Sequence, residues 1–190
     1  MFGHWPPKPI RAWAGSDFHR KLIEDPEWTV DGKIAGKTCI VLIGNGKVEL
    51  WSRHGHQFTE DYLLPIIKAL SRLDAGTILY AELKVAKALP GQSPTKADLW
   101  LIDVPKLRGY DLSERTLRKR RPLLRALYHE FKGVRCIRRT PVFRNKATAY
   151  QRALVMGLEG VVWKRWSSQF LWQRGPTGCE VADWVKMKPK

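Results

Sequence analysis

Six short segments gather the side chains of this chain that could do chemistry. They are Lys33-Ile34-Ala35-Gly36, Ser52-Arg53-His54-Gly55, Ala81-Glu82-Leu83, Leu101-Ile102-Asp103, Glu159-Gly160-Val161-Val162-Trp163-Lys164 and Trp184-Val185-Lys186-Met187-Lys188. Lysines dominate, joined by an arginine and two glutamates. A lysine is a nucleophile only as the free amine, and an ordinary pKa of ~10.4 makes that the minor species near neutral pH. Neighbouring cations lower the value and release the lone pair. The same cations would neutralise a polyphosphate and its leaving group. Lys164, Lys186, Lys188 and Arg53 could supply such a field, together with a divalent metal. The i, i+2 spacing of Lys186 and Lys188 places both on one face of a strand.

The elements that must hold these residues are readable from period and punctuation. Residues 1–27 are proline-rich, with a short helical stretch at Phe18–Glu24. Thr38–Ile43 is a β-branched run, Gly44-Asn45-Gly46 a turn, and Lys47–Ser52 the returning strand of a hairpin. Thr59–Leu73 has helical spacing with Thr59 as its cap. Thr77–Val85 and Asp98–Val104 read as strands joined by the proline- and glycine-bearing loop Ala86–Lys96. Ser113–Phe131 reads as a basic helix with Leu117, Leu124 and Leu127 inward and Ser113 at its cap, kinked or divided at Pro122. Arg135–Arg139, Gly160–Lys164 and Asp183–Met187 are short strands, Ala147–Met156 is a helix after Asn145, and Ser167–Gly178 is a loop or ribbon. Lys33 falls at a strand-to-strand turn. Strands and helices mix without regular βαβ alternation, which favours an α+β fold with largely antiparallel sheets.

Composition narrows the partner. The 190 residues carry 34 Lys and Arg against 18 Asp and Glu, a net charge of +16. A charge of this size points to a polyanion, with nucleic acid ahead of an anionic membrane surface because no clean basic amphipathic helix stands out. Nine tryptophans, several beside basic residues, suit either nucleic-acid contact or a small β-rich core. No apolar run approaches the ~20 residues of a membrane span. No secretion signal is visible at the start, so a cytoplasmic setting, bacterial, phage or viral, is expected. Cys39, Cys136 and Cys179 are far apart and read as free thiols.

Taken in order, the six segments resemble the covalent nucleotidyltransferase superfamily of ATP-dependent DNA ligases, RNA ligases and capping enzymes. The resemblance runs from about Thr29 to Lys188. It implies an α+β, ATP-grasp-like fold of two packed, mainly antiparallel sheets flanked by helices. It implies that Lys33 becomes covalently joined to AMP from ATP, with Mg²⁺ or Mn²⁺. Lys186 and Lys188 would contact ATP phosphates, with Lys164 adding to the field. Glu82 would hold ribose or metal, Glu159 the metal, and Arg53 ribose or a nick's 5′-phosphate. Asp31 falls where the family often has a residue near the adenine amine. Ile34 lies within the lysine motif, and Ile102 replaces the aromatic residue that stacks on the base, with Trp100 on the same strand face. Arg174 is similar to an arginine that several DNA ligases place between the last two strands. The basic helix, through Arg118 and Arg120, would face either solvent or the duplex backbone.

The motifs depart from the family pattern in Ala35 for aspartate, Thr38 for arginine and Ile102 for an aromatic. No OB-fold segment follows Lys188, so residues 1–190 are expected to form one adenylation domain, acting as a monomer on nicked duplex DNA. An RNA or hybrid-strand ligase, and a catalytically degenerate nucleic-acid-binding protein on the same scaffold, are the alternatives.

Overall fold

The computed structural model describes residues 6–88, 90–172 and 180–189, apart from the Glu180 side chain. In chain order the elements are β1 (Lys8–Ala12), α1 (Asp17–Glu24), β2 (Trp28–Lys33), β3 (Lys37–Ile43), β4 (Val48–Ser52) and β5 (Gln57–Phe58). A 3₁₀ turn (Asp61–Leu63) then leads into α2 (Leu64–Leu70), followed by β6 (Thr77–Val85), β7 (Ala97–Leu107) and β8 (Tyr110–Asp111). The remainder is α3 (Leu117–His129), β9 (Ile137–Arg139), β10 (Val142–Phe143), α4 (Ala149–Val155), β11 (Gly160–Arg165) and β12 (Glu180–Met187).

The strands form two sheets. The first has the order β1-β12-β11-β2-β10, and the second β5-β4-β3-β6-β7-β8 with β9 beside β7. All pairings are antiparallel except β1 with β12 and β7 with β9. The expected α+β class with two mainly antiparallel sheets is therefore the observed one.

Period-two alternation explains how the sheets stack. On β3, Cys39, Val41 and Ile43 face a core shared with α2 and α3, while Ile40 and Leu42 face the other way. On β11, Val161 and Trp163 join the core shared with α1 and α4. Helices thus cover the outer faces. The inner faces meet over a small cluster of Ile40, Tyr80, Phe170 and Trp184.

Several local expectations need correction. Residues 59–63 do not begin the α-helix: a 3₁₀ turn precedes α2, Pro65 sits in the first turn, and Thr59 caps nothing. Helix α3 starts at Leu117 after Thr116, so Ser113 is not its cap. It also runs through Pro122 as one element. Its inward leucines and the buried Arg120 hold it to the second sheet, and these contacts outweigh the lost backbone hydrogen bond. Strand β1, inside the proline-rich start, was not legible at all. Of the tryptophans beside basic residues, Trp163 and Trp184 are fully buried and belong to the cores rather than to a binding surface.

Candidate active site

Lys33 ends β2 in the first sheet, and four residues later the chain has entered β3 of the second. Gly36 makes this crossing possible. A Cβ there would lie 2.6 Å from the Leu83 carbonyl oxygen and 2.9 Å from Glu82 Cγ. The glycine of the lysine motif therefore brings the crossing against β6 where Glu82 stands.

A second glycine sets the other wall. Gly160 has φ of 145° and pairs with Lys33 across β11 and β2. A Cβ on Gly160 would lie 2.0 Å from the Met187 carbonyl oxygen. That close approach seats Lys188 beside Glu159. The Glu159 amide donates to the Lys33 carbonyl at 2.9 Å. Its carboxylate accepts from Lys33 Nζ at 2.6 Å and from Lys188 Nζ at 2.9 Å. Burial would raise the Glu159 pKa, but these two lysines hold it below the usual carboxylate range.

The sheets enclose a cavity of about 260 Å³ next to the inner aromatic cluster. Around it stand Lys33, Ile34, Arg53, Glu82, Ile102, Lys164, Lys186, Lys188 and Asp31, drawn from distant stretches of the sequence and all picked out by the motif reading. Burial pushes the Glu82 carboxyl up to about 7, with Glu159 adding to the shift while Lys33 and Arg53 oppose it. Glu82 thus has a high affinity for a cation or a proton. Among the described residues no group of three or more His, Cys, Asp or Glu could hold a metal by itself. Glu82 and Glu159 are close enough to act on each other's charge, and Glu159 is already bonded to Lys33 and Lys188.

The far end of the cavity is organised differently. Asp31 is buried, accepts from Arg121 at 2.8 and 2.9 Å, and lies 2.9 Å from Lys164 Nζ. Burial would raise its pKa, but Lys164 and Arg121 hold it below the ordinary value. Lys164 is 1% exposed and packs 4.3 Å above the Trp184 ring. Its pKa is lowered by burial, and by Arg121, despite Asp31.

Two site residues, Arg120 and Trp100, sit in settings the sequence did not indicate. Arg120 is not on a solvated or duplex-facing surface. It is fully buried, and its fork grips Asp103 at 2.9 and 2.8 Å while also donating to the Ser168 and Arg115 carbonyls. Arg118 is 63% exposed, pairs with Glu27 and packs over Trp166. Trp100 does not line the cavity; the Arg138 guanidinium packs over its ring at 5.5 Å. Arg174 lies outside the described residues.

Sequence reading missed Lys8, Tyr80 and Thr140, which also line the cavity, and Arg121, which pairs with Asp31. Lys8 arrives because β1 pairs in parallel with β12, with a register break between Pro9 and Ile10. No local pattern announces that. A second cavity of about 320 Å³ shares Asp31, Ile102 and Thr140 with the first and is edged by Arg121, Arg125, Arg139 and Arg144.

Two antiparallel sheets joined at a lysine-bearing crossing make the nucleotidyltransferase fold of the ligase type. Solved structures that share this fold include DNA ligases and an archaeal ATP-dependent RNA ligase. The chain is 28% identical, over an alignment of 203 residues, to the multifunctional non-homologous end joining protein LigD of Pseudomonas aeruginosa, covering 95% of this chain and 22% of that protein. It superposes on a mycobacterial DNA ligase D complexed with ATP with a TM-score of 0.76 at 22% identity, covering 99% of this chain and 61% of the other. It superposes on the Chlorella virus DNA ligase-adenylate with a TM-score of 0.57 at 14% identity, over 97% of this chain and 69% of that one. The chain spans about a fifth of the length of the curated relative. No family model matches it. No helix among the described residues is long and apolar enough to cross a membrane.

Proposed function

We propose that this chain is the adenylation domain of an ATP-dependent polynucleotide ligase, sealing 5′-phosphate/3′-hydroxyl nicks in duplex DNA through an AMP adduct on Lys33. The observation that carries this reading is the placement of Lys33. It stands at the sheet crossing, hydrogen-bonded to Glu159, in a cavity bordered by Arg53, Lys186 and Lys188. Similarity to LigD and to ligases bound to ATP or AMP supports the same assignment.

In the first step Lys33 Nζ gives up a proton and attacks the α-phosphorus of ATP. The N–P bond forms, the bond to the β-phosphate oxygen breaks, and pyrophosphate leaves. Lys186 and Lys188 balance charge on the phosphates, and Arg53 binds ribose or the incoming 5′-phosphate. In the second step an oxygen of the nick's 5′-phosphate attacks the same phosphorus, and Lys33 departs and regains its proton. In the third, the 3′-hydroxyl attacks the activated 5′-phosphorus and AMP is released. Mg²⁺ or Mn²⁺, held by Glu82, Glu159 and the phosphates, would neutralise charge at the phosphoryl centre when bound.

Incubation with ATP and Mg²⁺ should add one AMP to the intact protein, read by mass spectrometry. Lys33→Ala should add none. No adduct on the parent chain would sink this reading. Nicked duplexes with ribose on either side of the break would separate DNA from RNA sealing.

A further inference from the structure

We propose that Thr140 reads the exocyclic amine of the nucleotide base and sets a preference for adenine over guanine. The inference rests on the adenylation reading above and names a residue that reading leaves unassigned.

Register across the first sheet gives the cavity a direction. Lys186, Val162, Asp31 and Val142 stand side by side on β12, β11, β2 and β10. At ~4.8 Å per strand, strand β12 with its lysines and the β10 edge are roughly 14 Å apart. Lys186 and Lys188 occupy the β12 side, where phosphates belong. Thr140 immediately precedes Pro141 and β10, at the opposite side. There the Asp31 charge is balanced by Arg121 and Lys164, and Ile102, next to the Leu101 that holds Thr140, supplies apolar wall. With the Asp31 charge already paired, a flat neutral base fits that end.

The polar groups at that end decide which base. Asp31 already takes two hydrogen bonds from Arg121 and an ion pair from Lys164. Arg121 and Lys164 are donors only. Thr140 is different. Its hydroxyl donates to the Leu101 carbonyl at 2.9 Å, and its amide donates to the same oxygen at 3.2 Å. With its proton directed there, the hydroxyl oxygen offers only lone pairs to a ligand. Adenine presents an amine donor at the ring position where guanine presents a carbonyl acceptor. The first pairs with Thr140, and the second sets lone pair against lone pair. To donate to guanine, the hydroxyl must leave Leu101.

Thr140 is also held firmly enough to discriminate. It is 5% exposed. Leu101 ties it to β7 of the second sheet, and the Gly32 amide donates to the Pro141 carbonyl at 2.8 Å, tying the next residue to β2 of the first. Pro141 restricts the Thr140 backbone to extended conformations. The Thr140-Pro141 pair thus staples the two sheets together at this end of the cavity.

The test compares ATP, purine riboside triphosphate (which lacks the amine) and GTP as donors for the Lys33 adduct, measured as kcat/KM on the full chain. Wild type and Thr140→Ser should favour ATP over purine riboside triphosphate by about tenfold, the worth of one buried hydrogen bond. Thr140→Val removes the acceptor together with the Leu101 bond, so whatever loss is common to both nucleotides, the ratio of the ATP rate to that of the amine-free analogue should fall to about one. A Thr140→Val protein that keeps the full ATP preference overturns the inference. Equal labelling of wild type by the two nucleotides overturns it without any variant. Absence of an adduct with ATP on wild type overturns the adenylation reading itself, a result distinct from both.

Discussion

Glu159 ties Lys33, the proposed nucleophile, to Lys188. One carboxylate holds Lys33 and Lys188, and its amide also holds the Lys33 backbone. Its loss should misplace the attacking nitrogen more than it harms the fold, because the side chain is only partly buried. Glu159→Gln should therefore slow lysyl-AMP formation by about 100-fold, the scale of a small misplacement of a reacting group. Single-turnover mass spectrometry reads that rate, and a change within twofold would remove Glu159 from the mechanism. Asp31 makes a different prediction. Its native pKa lies below the unfolded value of ~3.9, so its contribution to stability is complete above that pH and is lost as pH falls through the native value. Asp31→Asn should flatten this acid limb in urea titrations between neutral pH and pH ~3. It should also lower stability at neutral pH by roughly 3–5 kcal/mol, since Lys164 and Arg121 lose their counter-charge.

Two elements owe their position to single residues. Helix α3 is anchored to β7 by the fully buried Arg120–Asp103 fork, which also ties in the Ser168 and Arg115 carbonyls. Removing the arginine leaves a buried carboxylate unpaired. Arg120→Ala should cost about 3–5 kcal/mol in denaturant unfolding, whereas the exposed Arg118→Ala should stay within ~0.5 kcal/mol. Equal effects would show that α3 is held by its leucines alone. Strand β11 depends on Gly160 in the same way. The Met187 carbonyl occupies the space of a Cβ, and the φ is one that side chains avoid. Gly160→Ala should both destabilise the protein and shift Lys188 away from Glu159.

For the whole molecule, a charge of +16 would make the proposed association with duplex DNA a salt-dependent process. Binding should weaken steeply between low and moderate salt. If α3 faces the duplex, Arg118→Ala should reduce the slope of log K against log salt by about one. Substituting the buried Arg120 by methionine should leave the slope unchanged. Fluorescence anisotropy with a nicked duplex distinguishes these outcomes.

Local regularity made most elements, and the order of the site segments, legible in the sequence. A β-branched apolar run marked β3 and alternation marked β4, and the lysine, glutamate and glycine motifs were readable because each spans only a few residues. Boundaries failed where tertiary contacts overrode local signals, at Thr59, Ser113 and Pro122. Partnerships could not be read, because they join residues far apart in the chain. Lys33 meets Glu159 across 126 positions, and Arg121 meets Asp31 across 90. The sequence by itself determined that a lysine, two glutamates and a set of cations recur in six short segments in a fixed order. Only the tertiary structure decided that Arg120 is an internal anchor, that Asp31 is already paired, and that Thr140 and Lys8 line the cavity. The reason is physical: strand pairing and burial are long-range, and they determine which donors and acceptors remain available to a ligand.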